Sequence, residues 1–330
     1  MSTPTTSGPA PTAAQGDPRE RLTAVRSEVA KAVVGQDAAV TGLVIAILAE
    51  GHVLLEGVPG VAKTLLVRSL AQALDVGTKR IQFTPDLMPG DVTGSLVYDA
   101  RSAAFSFREG PVFTNLLLAD EINRTPPKTQ SALLEAMEER QVSIDGQPRP
   151  LPDPFMVIAT QNPVEYEGTY PLPEAQLDRF LMKTSVGYPD TEAAIHVLAG
   201  SSQPDRSRRL NPVLAQQAVA EMIESVKDNY VDNSVLHYAQ RLVEATRDDE
   251  NTSMGVSTRG AIAMVRAARV WAAAHGRNYV LPDDVKELAA PVWTHRLIMS
   301  PEAEFSGVRP TDVIARVLAS VEAPTNRMNV

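Results

Sequence analysis

Two short runs of residues carry chemistry that ordinary packing does not need. The first is Gly57-Val58-Pro59-Gly60-Val61-Ala62-Lys63-Thr64, followed by Leu65. Several backbone N–H groups can converge on a phosphate only where glycines let the main chain come close, and a helix N-terminus adds the positive end of its dipole. In such a loop Lys63 reaches the β- and γ-phosphates of a nucleoside triphosphate, and the Thr64 hydroxyl binds Mg²⁺. The strict pattern has glycine directly before the lysine, whereas this chain has Ala62. The plainer alternative is a glycine-proline turn between a strand and a helix. The second run is Leu116-Leu117-Leu118-Ala119-Asp120-Glu121. An apolar strand here delivers two adjacent carboxylates to its C-terminal end, where α/β sheets bind ligands. Asp120 can hold Mg²⁺, directly or through water. Glu121 can orient and deprotonate a water for attack on a γ-phosphate. Paired carboxylates after an apolar run also cap helices, so the second run takes its meaning from the first.

Three further positions fit hydrolysis. Ala159-Thr160-Gln161-Asn162-Pro163 ends an apolar run in polar amides, and Asn162 could position the lytic water. A strand-terminating Asn-Pro turn is the alternative. Leu177-Asp178-Arg179-Phe180 puts an arginine just before the last strand, the alternative being a surface ion pair with Asp178. Ser257-Thr258-Arg259-Gly260 starts a helix with a cation in its first turn. A cation there opposes the helix dipole, which favours an anionic partner for Arg259.

The elements that must position these groups follow from hydrophobic periodicity. Short apolar runs at 52–56, 115–119, 155–160 and 181–186 read as buried strands, and Arg80-Ile81-Gln82-Phe83 reads as another strand. Leu66, Leu70, Ala73 and Leu74 share one helical face after the first of them, and Pro126 to Arg140 reads as a helix with Thr125 as its N-cap. Leu96–Phe107 and Val142–Arg149 read as hairpins, the second turning at Asp145-Gly146. After about Pro189 the strand-like runs stop. Helical patterns take over at Ser234–Thr246, Thr258–His275 and Pro282–Ala289, interrupted earlier by a polar stretch from Ser201 to Asn211. The expected organisation is a disordered tail over 1–17, an α/β nucleotide-binding domain over 18–189 and a smaller helical domain over 190–330.

Composition narrows the classes. The chain has 330 residues, 44% apolar and 22% charged, with a net charge of −9, so it is too apolar for a disordered chain and lacks the basic footprint of a general nucleic-acid binder. It has no cysteine, which excludes a disulfide scaffold, a thiolate metal site and a cysteine nucleophile, and fits a cytoplasmic location. The five histidines are scattered without metal-ligand spacing. Ala38–Ala49, the longest uncharged apolar stretch, falls short of the roughly 20 residues of a spanning helix, and the N-terminus is not a secretory signal. Arg206, Arg208 and Arg209 read as a solvated loop. No Asn-Lys-x-Asp motif appears, which favours ATP over GTP.

Together these residues resemble the AAA+ ATPases and, within them, the MoxR family, from about Val34 to Leu297. The most specific pieces are Gly57–Thr64, Leu117 to Arg124, Gln130 to Arg140, and Asn162 to Phe180 with its run Tyr170-Pro171-Leu172-Pro173-Glu174-Ala175-Gln176-Leu177-Asp178-Arg179-Phe180. The resemblance implies a P-loop αβα core of three layers around a parallel sheet, followed by an all-helical lid. It implies Walker A at Gly57–Thr64, in a looser form that admits Ala62, and Walker B at Asp120 and Glu121. It further implies sensor 1 at Asn162, an arginine finger at Arg179 and sensor 2 at Arg259. There the family often has Ser-Pro-Arg, and this chain has Thr258 in place of the proline. Val34-Gly35-Gln36 is similar to the segment that packs on adenine, and the two hairpins to the helix-2 and pre-sensor-1 inserts. On this reading Lys63, Arg179 and Arg259 face a polyanion. The implied activity is Mg²⁺-dependent ATP hydrolysis in a homo-oligomer, usually a six-membered ring, with the finger acting on the neighbour's γ-phosphate. The implied role is chaperone-like: remodelling client proteins, complex assembly or metal insertion, often beside a protein with a von Willebrand factor A domain. A low-turnover ATP-binding switch is the alternative from another class, and the intact Glu121 counts against it. A nucleic-acid motor is disfavoured by the charge, and an enhancer-type activator by the lack of a Gly-Ala-Phe-Thr-Gly-Ala loop.

Overall fold

The structure, a computed structural model, describes residues 17–57, 61–101, 103–161, 169–199 and 205–324. Most of the expected N-terminal tail lies outside them. Five short strands form one all-parallel sheet: β1 (Val53–Glu56), β2 (Thr78–Gln82), β3 (Leu116–Asp120), β4 (Met156–Gln161) and β5 (Met182–Ser185), in the order β2-β3-β4-β1-β5. Strands buried on both faces need apolar residues at successive positions, which is why the three central strands β1, β3 and β4 read as apolar runs, whereas the edge strands β2 and β5 are more polar and more exposed. Side chains of a strand alternate between faces. Leu116 and Leu118 therefore join Val53, Leu55, Met156 and Ile158 in one core, whereas Leu117 and Ala119 join Leu54, Val157 and Ala159 in another. Helices Pro18–Ala30, Asp37–Leu48 and Lys63–Ala73 cover the first face, and helix Pro127–Glu139 covers the second. This is the expected α/β core of three layers. The chain leaves β1 for the sheet edge at β2 and returns through β3 and β4. The crevice at that reversal holds the C-terminal ends of β1, β3 and β4.

Both expected hairpins form. Gly94–Asp99 pairs with Ala104–Glu109, and Gln141–Ile144 pairs with Gln147–Pro150 across Asp145-Gly146. Helices Gln216–Lys227, Asn233–Asp248, Thr258–Ala274, Pro282–Trp293 and Pro310–Ser320 make up the lid. Its apolar core is continuous with that of the first sheet face. The backbone N–H groups of Val213 and Leu214 donate to the Ala73 carbonyl at 2.8 and 3.1 Å, tying the lid to the back of the helix that follows β1. Among the described residues, no helix is long and apolar enough to cross a membrane.

Three local expectations fail. The lid is not free of strands: Thr252–Met254 pairs with Ile298–Met299 in a two-stranded ladder too short to show periodicity. The helix from Pro282 does not stop at Ala289 but continues to Trp293 through Pro291. The proline removes one intrahelical hydrogen bond, and complete burial of Val292 and Trp293 outweighs that loss. Thr125 does not cap the helix after it. Pro126 occupies the N-cap position, and the buried Thr125 hydroxyl has no hydrogen-bond partner among the described residues.

Candidate functional site

The end of β1 and the end of β3 open on a cavity of about 490 Å³ lined by Val61, Ala62, Lys63, Thr64, Leu65, Arg68, Arg80, Gln82, Asp120, Glu121 and Asp205. That volume lies within the usual range for ligand sites. Val58, Pro59, Gly60 and Asn162 lie outside the described residues. Gly57 sits where β1 meets the end of β5. A Cβ there would approach the Val186 carbonyl oxygen to 2.6 Å, so only glycine fits. Lys63 opens the helix Lys63–Ala73, and its Nζ donates to the Gly57 carbonyl at 2.7 Å, which holds the ammonium over the loop. Burial pushes the Lys63 pKa down, against the opposing charges of Asp120 and Glu121. Ala62, just before it, has left-handed backbone at φ 59° and ψ 24°. This conformation costs an L-residue about 1–2 kcal/mol and explains why the strict pattern has glycine here.

The two acidic residues are oriented by groups the sequence reading passed over. Asp120 Oδ1 accepts from the Thr160 hydroxyl at 2.6 Å, and the same oxygen of Thr160 accepts from the Glu121 N–H at 2.9 Å. Asp120 Oδ2 accepts from Arg80 Nε and Nη2 at 3.1 and 2.7 Å. Glu121 Oε2 accepts from Gln82 Nε2 at 2.6 Å and lies 3.2 Å from Arg124 Nε. Glu121 itself has left-handed backbone, φ 56° and ψ 52°, which turns the chain sharply at the strand end. The signal for Arg80 and Gln82 was their alternation on a strand that pairs in register with β3, Gln82 opposite Asp120. Buried Gln130 donates through Nε2 to the carbonyls of Ile122, Thr125 and Tyr170, and so ties the turn after Glu121 to the segment leading to Arg179.

The donor set fits a triphosphate with a hard divalent cation. Three donors meet the roughly four lone-pair sites of Asp120, so one remains for a metal or its water, beside the Thr64 hydroxyl in the same cavity. Among the described residues there is no group of three or more His, Cys, Asp and Glu that could hold a metal unaided.

Arg179 and Arg259 are not in that cavity. They meet at a second one, of about 200 Å³, lined by Glu50, His52, Met137, Glu138, Arg140, Arg179, Arg259 and Arg266. Glu138 bridges them: Oε2 lies 3.0 Å from Arg179 Nη2, and Oε1 accepts from Arg259 Nη2. The expected anionic partner of Arg259 therefore exists within the chain. The ion pair of Arg179 with Asp178 does not form, because Asp178 is engaged by Arg296 and Ser257. Within a protomer, Lys63 lines one cavity and Arg179 and Arg259 line the other. His52 lines the same cavity with a fixed tautomer, Nδ1 accepting from Val157 N–H at 3.0 Å and Nε2 donating to the Met137 carbonyl at 3.1 Å. Burial, aided by the charges of Arg140 and Arg266, pushes its pKa down to about 4. Gly35 and Gln36 sit apart from both cavities: Gln36 Nε2 donates to the Gly187 carbonyl at 3.0 Å, and Gly35 lies against Ala193. Asp205 pairs with Arg68 and Arg208, which brings the segment of the three arginines 206, 208 and 209 to the rim of the phosphate cavity.

Comparison with known proteins agrees with this arrangement. Residues 52–182 match the family model described as ATPase family associated with various cellular activities (AAA), and residues 244–317 match an AAA lid domain. The chain is 49% identical to the uncharacterized protein YeaC of Bacillus subtilis, over 86% of this chain and 89% of that protein. It is 44% identical to Chaperone MoxR1 of Mycobacterium tuberculosis (90% and 81%) and 32% identical to Protein MoxR of Methylorubrum extorquens (93% and 96%). The crystal structure of a putative ATPase from Cytophaga hutchinsonii superposes with a TM-score of 0.88 at 42% identity, covering 93% of this chain and 96% of that one. With the sheet order, the phosphate cavity and the lid in place, the chain belongs to the MoxR family of AAA+ ATPases.

Proposed function

We propose that this protein hydrolyses ATP in a homo-oligomeric ring, with each active site completed by the neighbouring subunit, and uses the turnover to remodel a client. The observation that carries this reading is the separation of the two cationic groups. Lys63, Thr64, Asp120 and Glu121 share one cavity, and Arg179 and Arg259 share another that contains none of them.

In this account the loop Gly57–Thr64 and Leu65 hold the triphosphate, and Lys63 exchanges its bond to the Gly57 carbonyl for phosphate oxygens. Gly35 and Gln36 flank the adenine. Thr64 and Asp120 would hold Mg²⁺, which would supply positive charge against the charge that develops on the phosphates. The Glu121 carboxylate orients the attacking water and accepts its proton, and Asn162 holds that water from the other side. Arg80 and Thr160 keep Asp120 in one orientation, so the acidic pair needs no rearrangement as charge develops. Arg179 of the adjacent subunit, with Arg259 beside it, stabilises charge on the transferring phosphoryl group. Such an arginine is worth about 10³–10⁵ in rate.

A ring of six with the lid as a separate helical domain after about residue 189, a cytoplasmic location, and a client bearing a von Willebrand factor A domain complete the proposal. Chaperone-like assembly or metal insertion is the output, by kinship with the proteins named MoxR. The test is phosphate release at rising protein concentration. Turnover per subunit should climb steeply and then saturate as rings form. Bound nucleotide with no turnover at any concentration would leave a binding switch instead.

A further inference from the structure

Arg296 lines neither cavity, yet its position bears on both arginines of the second one. Its side chain is 2% exposed. A guanidinium has five N–H donors in a fixed fork. Here each one is used: Nε donates to the Val292 carbonyl at 2.8 Å, Nη1 to the Asp178 carbonyl at 2.8 Å and to Asp178 Oδ1, and Nη2 to the carbonyls of Phe180 and Leu181 at 2.5 and 3.3 Å. The acceptors on residues 178, 180 and 181 bracket Arg179 on both sides. His295, next in the chain, adds a contact from Nε2 to the Phe180 carbonyl at 3.1 Å.

The same network reaches Arg259. Asp178 Oδ2 accepts from the Ser257 hydroxyl at 2.9 Å, and that hydroxyl accepts from the Gly260 N–H at 3.0 Å as N-cap of the helix whose first turn holds Arg259. A Cβ on Gly260 would lie 3.0 Å from Arg296 Cδ and 2.6 Å from Val256 Cγ1, so the glycine after Arg259 makes room for the Arg296 stem. The Gly260 carbonyl accepts from Trp293 Nε1 at 3.0 Å, which fixes that helix start to the helix leading into Arg296.

We propose that Arg296 is a positioning residue that sets Arg179 and Arg259 as one unit, so that both guanidiniums meet a neighbour's γ-phosphate together. This rests on the role in trans given to Arg179 above. Arg296 acts through the backbone at 178–181 and through Asp178 and Ser257, and touches no nucleotide itself. A lysine, with three donors and no fork, cannot replace it.

The test uses the full chain with Arg296→Met and Asp178→Asn. Misplacement of a catalytic group by about 1 Å costs about 10²-fold, so kcat should fall about 10- to 100-fold, with KM for ATP and the affinity for a fluorescent ATP analogue held within about twofold. Asp178→Asn keeps the shape of the network while removing its charge, and it carries the test if Arg296→Met does not fold. In an Arg179→Ala, Arg259→Ala background, either substitution should add less than about a further twofold loss, because neither guanidinium that Arg296 positions is left. Normal kcat in a folded variant, or a full multiplicative loss on top of the Arg179→Ala, Arg259→Ala pair, overturns the proposal. Wild-type turnover in Arg179→Ala alone overturns the finger reading itself, and this proposal with it.

Discussion

The phosphate cavity and the arginine cluster are both polar sites in one chain, and they are built in opposite ways. The heart of the first is two contiguous runs, at 61–65 and 120–121, each following or ending a buried strand. Its charges are balanced locally: Lys63 on the Gly57 carbonyl, Asp120 between Arg80 and Thr160, Glu121 on Gln82. The second gathers residues 50, 52, 138, 140, 179, 259 and 266 from the sheet, the helix over it and the lid. It holds four guanidiniums against two carboxylates, with Glu138 shared between Arg179 and Arg259. A site balanced within itself can bind its ligand alone. A site with surplus cations held by one carboxylate is suited to an anion brought by another molecule.

The sharpest way to break the contrast is to remove one cation from each region. Arg179→Ala should lower turnover by about 10³-fold or more while leaving ATP affinity within about twofold, measured by phosphate release and nucleotide titration. Lys63→Ala should do the reverse, raising the dissociation constant for ATP by about 100-fold or more as its charge-assisted contacts to phosphate are lost. Equal loss of binding in both would merge the two sites into one. A smaller change sharpens the account of the first cavity. Thr160→Val removes the hydroxyl that serves both Asp120 and Glu121, and should cost about tenfold in kcat together with a higher Mg²⁺ requirement. Unchanged Mg²⁺ dependence would mean that Arg80 alone orients Asp120.

Acid should disturb the region of the arginines first. His52 is neutral in the fold, its pKa held down to about 4, and His295 is held down to about 3, by burial first in each case. Both values lie below the ordinary 6.5. Their contribution to stability is complete above about pH 6.5 and is lost as the pH falls toward the folded values, because the unfolded chain takes up the protons first. By about pH 5 each ring should cost about 2 kcal/mol of unfolding free energy, and His52→Gln should flatten part of that slope in denaturant titrations. A protonated Nδ1 on His52 would also face the Val157 N–H that it now accepts. An unchanged slope in His52→Gln would remove His52 from the account.

The same contrast explains what could be read before the structure. The three central strands were legible because strands buried on both faces must be largely apolar, and the hairpin at Asp145-Gly146 because its turn residues follow from backbone geometry. The loop and the acidic pair were legible because each is contiguous and placed by one strand end. Thr160, Gln82 and Arg80 escaped because their roles depend on register between strands distant in sequence. Glu138 escaped for a similar reason: on a helix surface it looks like any solvated glutamate until the lid brings Arg259 to it. No motif in the sequence singles out Arg296, and only its burial across the carbonyls of 178, 180 and 181 reveals its use. That Lys63 lies in one cavity and Arg179 with Arg259 in another was not legible, because the sequence does not show on which face each cation lies.

The central claim is that the two regions belong to one active site only across a subunit boundary. Mixing Lys63→Ala with Arg179→Ala tests it most directly. The first should bind ATP too weakly to turn it over but offers an intact Arg179; the second should bind ATP but lacks that arginine. Each alone should be inactive, and the mixture should recover a substantial fraction of wild-type turnover as mixed rings pair an intact nucleotide cavity with an intact finger. A mixture as inactive as its components, with mixed assemblies demonstrably formed, would contradict the account.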